Sequence, residues 1–238
     1  MADFSKRSSK KEMLDEENIP SHLLNRNLKE LSLINRWLGG HLTTILGIKQ
    51  FVKKHNLHNQ EIIILDIACG GGDNISVLNT WAKKKGYRFQ FIGLDLKQEA
   101  IDFAKLSHPE LKNCQWVCAS FEEIPQLDLK FDIAITALFC HHLSDEKIKE
   151  LVKIAVENSR YGLVVNDLHR HPLAYYGIKL LTGLFSRSPL VKNDAPLSVL
   201  RGFRKEELKD LFKAYKTKIR WIWAFRWGLV VEGEGDRY

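Results

Sequence analysis

The stretch LDIACGGGD, at residues 65–73, limits what this chain can fold into more than any other. An apolar run of strand length over residues 61–67 leads into three consecutive glycines, and a helical pattern follows over residues 74–85. Glycines in such a turn let the backbone approach a ligand, and the following helix N-terminus offers unpaired N–H donors. The stretch therefore predicts a ligand-binding turn.

Strand and helix patterns alternate after this turn. Helical patterns cover residues 98–106 and 145–158, and strand patterns cover residues 88–96, 115–119, 131–136 and 161–165. This alternation predicts an α/β fold, a Rossmann-like and mostly parallel sheet covered on both faces. Two strand patterns follow each other closely within residues 216–233, which predicts an antiparallel C-terminal hairpin at the sheet edge.

The chain divides into three predicted parts. Residues 1–20 are charged and lack the apolar core of a secretion signal, so we expect a mobile N-terminal arm. Residues 21–58 carry apolar side chains at helical spacing and form a predicted helical cap. Residues 59–238 form the main domain, with an insertion at 168–203 whose aromatic and aliphatic residues indicate a lid over an apolar pocket.

Composition excludes several classes of protein. No apolar segment reaches the roughly 18 to 20 residues that cross a bilayer, so a membrane protein is not expected. The net charge is +7, but the basic residues are dispersed, which weighs against nucleic-acid binding. The cysteines lack zinc-type spacing and have apolar neighbours, so we expect reduced thiols and a cytoplasmic protein. These cysteines are Cys69, Cys114, Cys118 and Cys140.

An acid at the end of the second strand pattern indicates a nucleoside. Asp95 follows the glycine turn at the place where a carboxylate accepts hydrogen bonds from both ribose hydroxyls. Gly70 and Gly72 begin a dinucleotide pattern, but Ile75 stands where its third glycine would be. The acids Asp66 and Asp73, which flank the turn, would also repel the negative charge of a pyrophosphate, so a dinucleotide is disfavoured. Such a turn suits the ammonium and sulfonium groups of S-adenosylmethionine (SAM).

Later stretches complete a resemblance to a known family. Together with the turn and Asp95, residues 119–125 (ASFEEIP) and 131–143 (FDIAITALFCHHL) resemble the successive motifs of class I SAM-dependent methyltransferases. They are most similar to the small-molecule enzymes of ubiquinone and menaquinone biosynthesis. The resemblance covers about residues 61–165 and implies a seven-stranded sheet.

The resemblance also implies a set of cofactor-binding residues. The family pattern D-x-G-x-G-x-G is matched except at Ala68, where alanine replaces a glycine. Asp95 would hold the ribose, Ser120 and Phe121 would flank the adenine, and the turn at Ala137 would close over the methionine. The implied set is Asp66, Ala68, Gly70, Gly72, Asp73, Asp95, Leu96, Ser120, Phe121 and Ala137.

Histidines follow the fourth and fifth strand patterns. A phenol or enol acceptor benefits from a base near neutral pH, and the candidates are His141, His142, His169 and His171, of which we choose His142 and His169. An extended backbone would place Asp167, His169 and His171 on one side, but this is a weak ligand set beside a basic residue. We therefore predict no metal site.

The predicted function is SAM-dependent O- or C-methylation of a small aromatic or polyketide-like acceptor, by a monomer or homodimer. One alternative is an NAD(P)-dependent short-chain-type oxidoreductase, because Tyr175 and Lys179 form a Tyr-x-x-x-Lys pair. Another is a non-catalytic cofactor-binding subunit that supports a partner.

Overall fold

A seven-stranded sheet runs through the centre of the computed structural model, which describes residues 2–16 and 19–233. Its strands are β1 (Glu61–Ile67), β2 (Arg88–Asp95), β3 (Cys114–Cys118), β4 (Phe131–Ala137), β5 (Ser159–Leu168), β6 (Thr217–Ile222) and β7 (Arg226–Glu232). Their order is β3-β2-β1-β4-β5-β7-β6. The first five are parallel, and β7 is antiparallel to both β5 and β6. The predicted α/β fold with a C-terminal hairpin is confirmed.

Helices cover both faces of the sheet. They are α1 (Ser21–Trp37), α2 (Gly40–Lys54), α3 (Asp73–Lys85), α4 (Gln98–Ser107), α5 (Asp145–Asn158), α6 (Pro172–Phe185), α7 (Pro189–Arg201) and α8 (Lys205–Leu211). The predicted cap contains α1 and α2, and the predicted insertion contains α6 and α7. Among the described residues, no helix is both long and apolar enough to cross a membrane.

The core lies on both faces because the central strands are apolar at successive positions. In β1, Ile62 and Ile64 belong to a buried cluster that includes side chains of α2 and α3. Leu65 and Ile67 point to the opposite face, into a cluster with side chains of α5 and α8. This two-sided burial fixes the sheet and so fixes the positions of the loops at its carboxyl edge.

The N-terminal segment packs against the protein, which differs from the mobile arm expected from its charge. Arg7 donates hydrogen bonds to the carbonyl of Leu143 at 3.0 Å and to the carboxylate of Asp145 at 2.6 Å. Glu12 is buried just before a 3-10 turn at Met13–Asp15. The charged side chains of this segment thus pair with residues that are distant in sequence, and no local sequence pattern indicates these contacts. Met1, Glu17 and Asn18 of the expected arm lie outside the described residues.

Replacing Gly162 with alanine is expected to destabilise the sheet strongly. Gly162 has a φ of +131°, and an added Cβ would lie 2.1 Å from the carbonyl oxygen of Val231 on β7. We expect a loss on the order of 3 kcal/mol in the free energy of unfolding, measured by urea denaturation. Gly183→Ala in α6 is the matched control, because its Cβ would meet nothing within 4 Å. Equal stability of the two variants would contradict the expectation.

Candidate active site

The turn after β1 adopts left-handed backbone conformations at alternate positions. The φ angles are +58° at Ala68, +52° at Gly70 and +76° at Gly72. Gly72 is also closely packed, since an added Cβ would lie 2.6 Å from the ring of Trp116. Alanine is strained at this positive φ, whereas glycine would not be, and this explains why the family pattern has glycine at position 68.

Asp95, the last residue of β2, holds the turn from the neighbouring strand. Its Oδ2 accepts a hydrogen bond from the backbone N–H of Gly70 at 2.8 Å, and its Oδ1 accepts one from Lys97 at 3.0 Å. Burial raises the pKa of Asp95. Each carboxylate oxygen keeps a second lone pair, so the group can still accept two hydroxyl donors.

A small pocket of about 40 Å³, called here the polar pocket, lies at the carboxyl edge of β1, β4 and β5. Three of its lining oxygens, Asp73 Oδ2, Asn74 Oδ1 and Asn166 Oδ1, are buried and accept no well-aligned hydrogen bond from any described residue, although Nε2 of His41 lies 3.4 Å from Asp73 Oδ2. The pocket is also lined by Arg226 of β7, whose Nε and Nη1 are buried and likewise unpaired. Because buried polar groups normally have partners, these atoms indicate a ligand with both donors and an acceptor.

Charge around the polar pocket is mostly negative. Burial raises the pKa of Asp66 well above its usual range, and the neighbouring Asp73 and Asp95 raise it further. Asn74 donates to Asp66 at 3.3 Å. Arg226 is the buried cation facing these acids, and burial lowers its pKa to about 10. The acids that the sequence places around the turn therefore lie close together in the structure.

The other predicted cofactor residues differ in their surroundings. Ala137 lines the polar pocket together with Ala68. Leu96 is exposed beside Asp95, whereas Phe121 is buried in the core. The hydroxyl of Ser120 already donates to the carboxylate of Glu122. The structure thus brings Ala68 and Ala137 together, while Ser120 has a partner within the protein.

A larger cavity of about 350 Å³, called here the apolar cavity, adjoins the polar pocket. Asn35, Leu138 and Arg226 line both spaces, so the two are in contact. The apolar cavity is formed mainly by α1, α6, α7 and the turn between β6 and β7. The predicted cap and the predicted insertion therefore both contribute walls.

Glu12, His141 and His142 form the polar end of the apolar cavity. His141 Nδ1 lies 2.7 Å from a carboxylate oxygen of Asp167, and His142 Nδ1 lies 2.6 Å from one of Asp15. The Nε2 atoms face Glu12 at 3.7 and 3.8 Å. Burial raises the pKa of Glu12 to about 7. The predicted base His142 thus faces the cavity within a larger cluster.

The other predicted base, His169, is not among the residues that line the apolar cavity. Its Nδ1 accepts a hydrogen bond from the indole of Trp221 at 3.2 Å, and its ring packs against Trp227. Asp167 turns away to His141 instead of joining His169 and His171. The role of His169 as a base stays a prediction, although His169 does not line the apolar cavity.

Two residues of this site, Glu12 and Arg226, were missed from the sequence, and His141 was a candidate base that we did not choose. His141 carried a signal, because it directly follows the fourth strand and precedes His142. Glu12 and Arg226 carried none, since each meets its partners only through contacts between distant parts of the chain.

The Tyr-x-x-x-Lys pair of the oxidoreductase alternative lies elsewhere. Tyr175 and Lys179 are in α6 and line a groove against residues 2–10 of the N-terminal segment. Neither residue lines the polar pocket or the apolar cavity. The pair is therefore not positioned at the ligand-binding turn.

The sheet order, the turn and Asp95 agree with a match to a known family. The chain matches the family described as methyltransferase domain over residues 64–161, from β1 into β5. This match and the sheet order support a class I SAM-dependent methyltransferase. This methyltransferase domain has a relative in the ubiquinone/menaquinone biosynthesis C-methyltransferase UbiE of Rickettsia typhi, at 31% identity over 96 residues. That alignment spans 38% of this chain and 39% of the relative.

Solved methyltransferases share the fold. Magnesium protoporphyrin IX methyltransferase (ChlM) from Synechocystis PCC 6803, with bound SAH, superposes with a TM-score of 0.54 at 14% identity, covering 84% of each chain. The plantazolicin methyltransferase BpumL, in complex with a triazolic desmethylPZN analog and SAH, gives 0.65 at 13% identity, covering 88% of this chain and 91% of that one. The predicted resemblance to class I methyltransferases is confirmed.

Proposed function

We propose that this chain transfers a methyl group from SAM to a small aromatic or polyketide-like acceptor. The observation that carries the proposal is the set of unpaired atoms in the polar pocket. The oxygens of Asp73, Asn74 and Asn166 match the three N–H donors of an ammonium group, and Arg226 matches a carboxylate. An α-amino acid carries both groups, as does the methionine part of SAM.

The remaining parts of SAM follow from this placement. Asp95 accepts the ribose hydroxyls from the end of β2, and the adenine extends toward Ser120 and the edge of β3. The sulfonium would lie between Asp95 and the polar pocket, where the carboxylate of Asp73 favours a cation. Leu138 lines both spaces, so it would contact the reacting end of SAM at the entrance to the apolar cavity.

The shape and chemistry of the apolar cavity support the acceptor class. About 350 Å³ accommodates a small ring system, and the walls offer mostly aliphatic and aromatic contacts. The polar groups at one end, including His142, suit a single hydroxyl or carbonyl. The names of the relatives point the same way, since UbiE is a C-methyltransferase of quinone biosynthesis and BpumL acts in the plantazolicin system.

The reaction is an in-line displacement that needs no covalent enzyme intermediate. An acceptor oxygen or carbon forms a bond to the methyl carbon, and the S–C bond breaks with its electron pair on sulfur. The products are the methylated acceptor and S-adenosylhomocysteine, and the acceptor's proton passes to water. The protein contributes mainly by holding the acceptor about 3 Å from the methyl carbon in the correct line.

Calorimetry and an acceptor screen test this function. We expect the purified full-length chain to bind SAM and not NAD⁺ or NADPH. Radiolabel from methyl-labelled SAM should then enter at least one of a panel of phenols, quinone precursors and pyrones. Binding of NAD(P) in place of SAM would favour the oxidoreductase. SAM binding without transfer to any acceptor would favour the non-catalytic subunit.

A further inference from the structure

The polar end of the apolar cavity has the geometry of a ligand set. One carboxylate oxygen of Glu12 and one ring nitrogen each of His141 and His142 all lie within 4.8 Å of one another. Nε2 of His141 stands 3.7 Å from Oε1 of Glu12 and Nε2 of His142 stands 3.8 Å from Oε2, and both distances are too long for hydrogen bonds. Ligands of a tetrahedral zinc ion stand about 3.4 Å apart, as bond lengths near 2.1 Å require. Rotation of the Glu12 carboxylate and a closer approach of the two rings would complete such a site.

Hydrogen bonds on the far side of each ring set the direction of its lone pair. The carboxylates of Asp167 and Asp15 can only accept, so His141 and His142 carry a proton on Nδ1. In the neutral rings, the lone pairs of Nε2 then face Glu12. Histidine ligands of metals are held in this manner by a carboxylate on their other nitrogen.

The carboxylate of Glu12 lacks an adequate partner of its own. Its Oε2 accepts a hydrogen bond from the hydroxyl of Ser198 at 2.9 Å, but Oε1 is buried with none from the described residues. The nearest guanidinium, Arg201, lies 3.8 Å from Oε1 and donates instead to the carbonyl of His141 and to Asp15. The carboxylates of Glu12, Asp15 and Asp167 thus face the two rings, while Arg7 and Arg201 donate to the carbonyl of His141.

We propose that Glu12, His141 and His142 bind a divalent transition-metal ion, with Zn²⁺ as the reference ion. Two imidazoles and one carboxylate form a known catalytic zinc set, in which a fourth position stays open. Here all three residues line the apolar cavity, so the open position faces it. Packing of the N-terminal segment against the domain places Glu12, the third ligand, beside the two histidines.

The site gives His142 a different role from the predicted base, and this step rests on the proposed methyl transfer. An acceptor hydroxyl that takes the open position loses its proton to water, because a bound divalent ion strongly lowers the pKa of its oxygen ligand. The resulting oxyanion is held at the end of the cavity. His142 then positions the ion, and the ion positions the acceptor.

Metal content tests the site without any acceptor. We expect untagged full-length protein, stripped with chelator and titrated with Zn²⁺ alone, to bind one equivalent by calorimetry. Co²⁺ alone should give the d–d absorption of a low-coordinate site. Glu12→Gln and His142→Gln are expected to weaken Zn²⁺ binding at least 100-fold, and Asp15→Asn 10- to 100-fold. Circular dichroism checks that each variant is folded.

His108→Gln is the matched control, because His108 also lies beside a carboxylate, 3.3 Å from Glu110, but at the surface and without a second histidine. It should bind Zn²⁺ like the parent. Failure of the folded parent to bind Zn²⁺ would overturn the metal site, with protons on the Nε2 atoms satisfying Glu12 instead. Equal losses in the His108 variant would overturn it as well. SAM binding by the same samples reports on the proposed function separately.

Discussion

Replacing Asp95 with alanine is expected to weaken SAM binding by on the order of 100-fold, because two charge-assisted hydrogen bonds to the ribose are lost. At about 1.5 kcal/mol each, the low end for such bonds, the two contribute about 3 kcal/mol, and each 1.4 kcal/mol is tenfold in affinity. The variant also frees the N–H of Gly70, which Asp95 holds at 2.8 Å. Calorimetry with SAM and with S-adenosylhomocysteine measures the loss.

Asp95→Asn separates the ribose contact from support of the turn. Asparagine keeps one acceptor oxygen for the backbone but removes the charge, so we expect a smaller loss than with alanine. Asp210→Asn on α8 is the control, since Asp210 is exposed and pairs with Lys213. A folded Asp95→Ala variant with parent-like affinity would show that the cofactor does not bind against β2.

The ligand-binding turn and its acid partner were predictable because both are local in sequence. Strand, glycines and helix follow each other within residues 61–85, and Asp95 ends the next strand along the chain. In a parallel sheet, the carboxyl ends of neighbouring strands meet at one edge. Sequence order was therefore enough to place Asp95 beside Gly70.

The polar end of the apolar cavity was not predictable, because it joins distant segments. Glu12 and Asp15 come from a charged stretch that has no apolar periodicity, yet they contact histidines after β4. Contacts of this kind leave no signal at helical or strand spacing. The same holds for Arg226, which the sequence presents only as one residue of a hairpin.

The predicted alignment of Asp167 with His169 and His171 on one side of the chain fails for a different reason. The prediction extended strand alternation from Asp167 to His171, which would put alternate side chains on one side. In the structure β5 ends at Leu168, and His169 forms an isolated bridge to Phe203. The alternation stops there, so Asp167 and His169 point to different neighbours.

Replacing Arg226 with methionine is expected to weaken SAM binding by about 30-fold, through loss of roughly 2 kcal/mol from its contact with the methionine carboxylate. Nε and Nη1 of Arg226 are unpaired among the described residues, while Nη2 donates to Asn35 at 2.9 Å. A buried cation with unpaired donors costs desolvation energy, so its removal should change the unliganded protein's stability little. The substitution is thus expected to lower the affinity for SAM while it leaves the free energy of unfolding nearly unchanged.

A truncated ligand isolates the carboxylate contact. 5′-Methylthioadenosine keeps the adenosine and the sulfur of SAM but lacks the amino-acid part, so Arg226→Met should bind it within twofold of the parent. Arg220→Met, at an exposed position of β6, is the control for loss of a positive charge. Calorimetry with both ligands on both variants gives the comparison. Equal losses for SAM and methylthioadenosine would mean that Arg226 acts by supporting the β6–β7 hairpin, because loss of a direct contact with the carboxylate would weaken SAM but not methylthioadenosine.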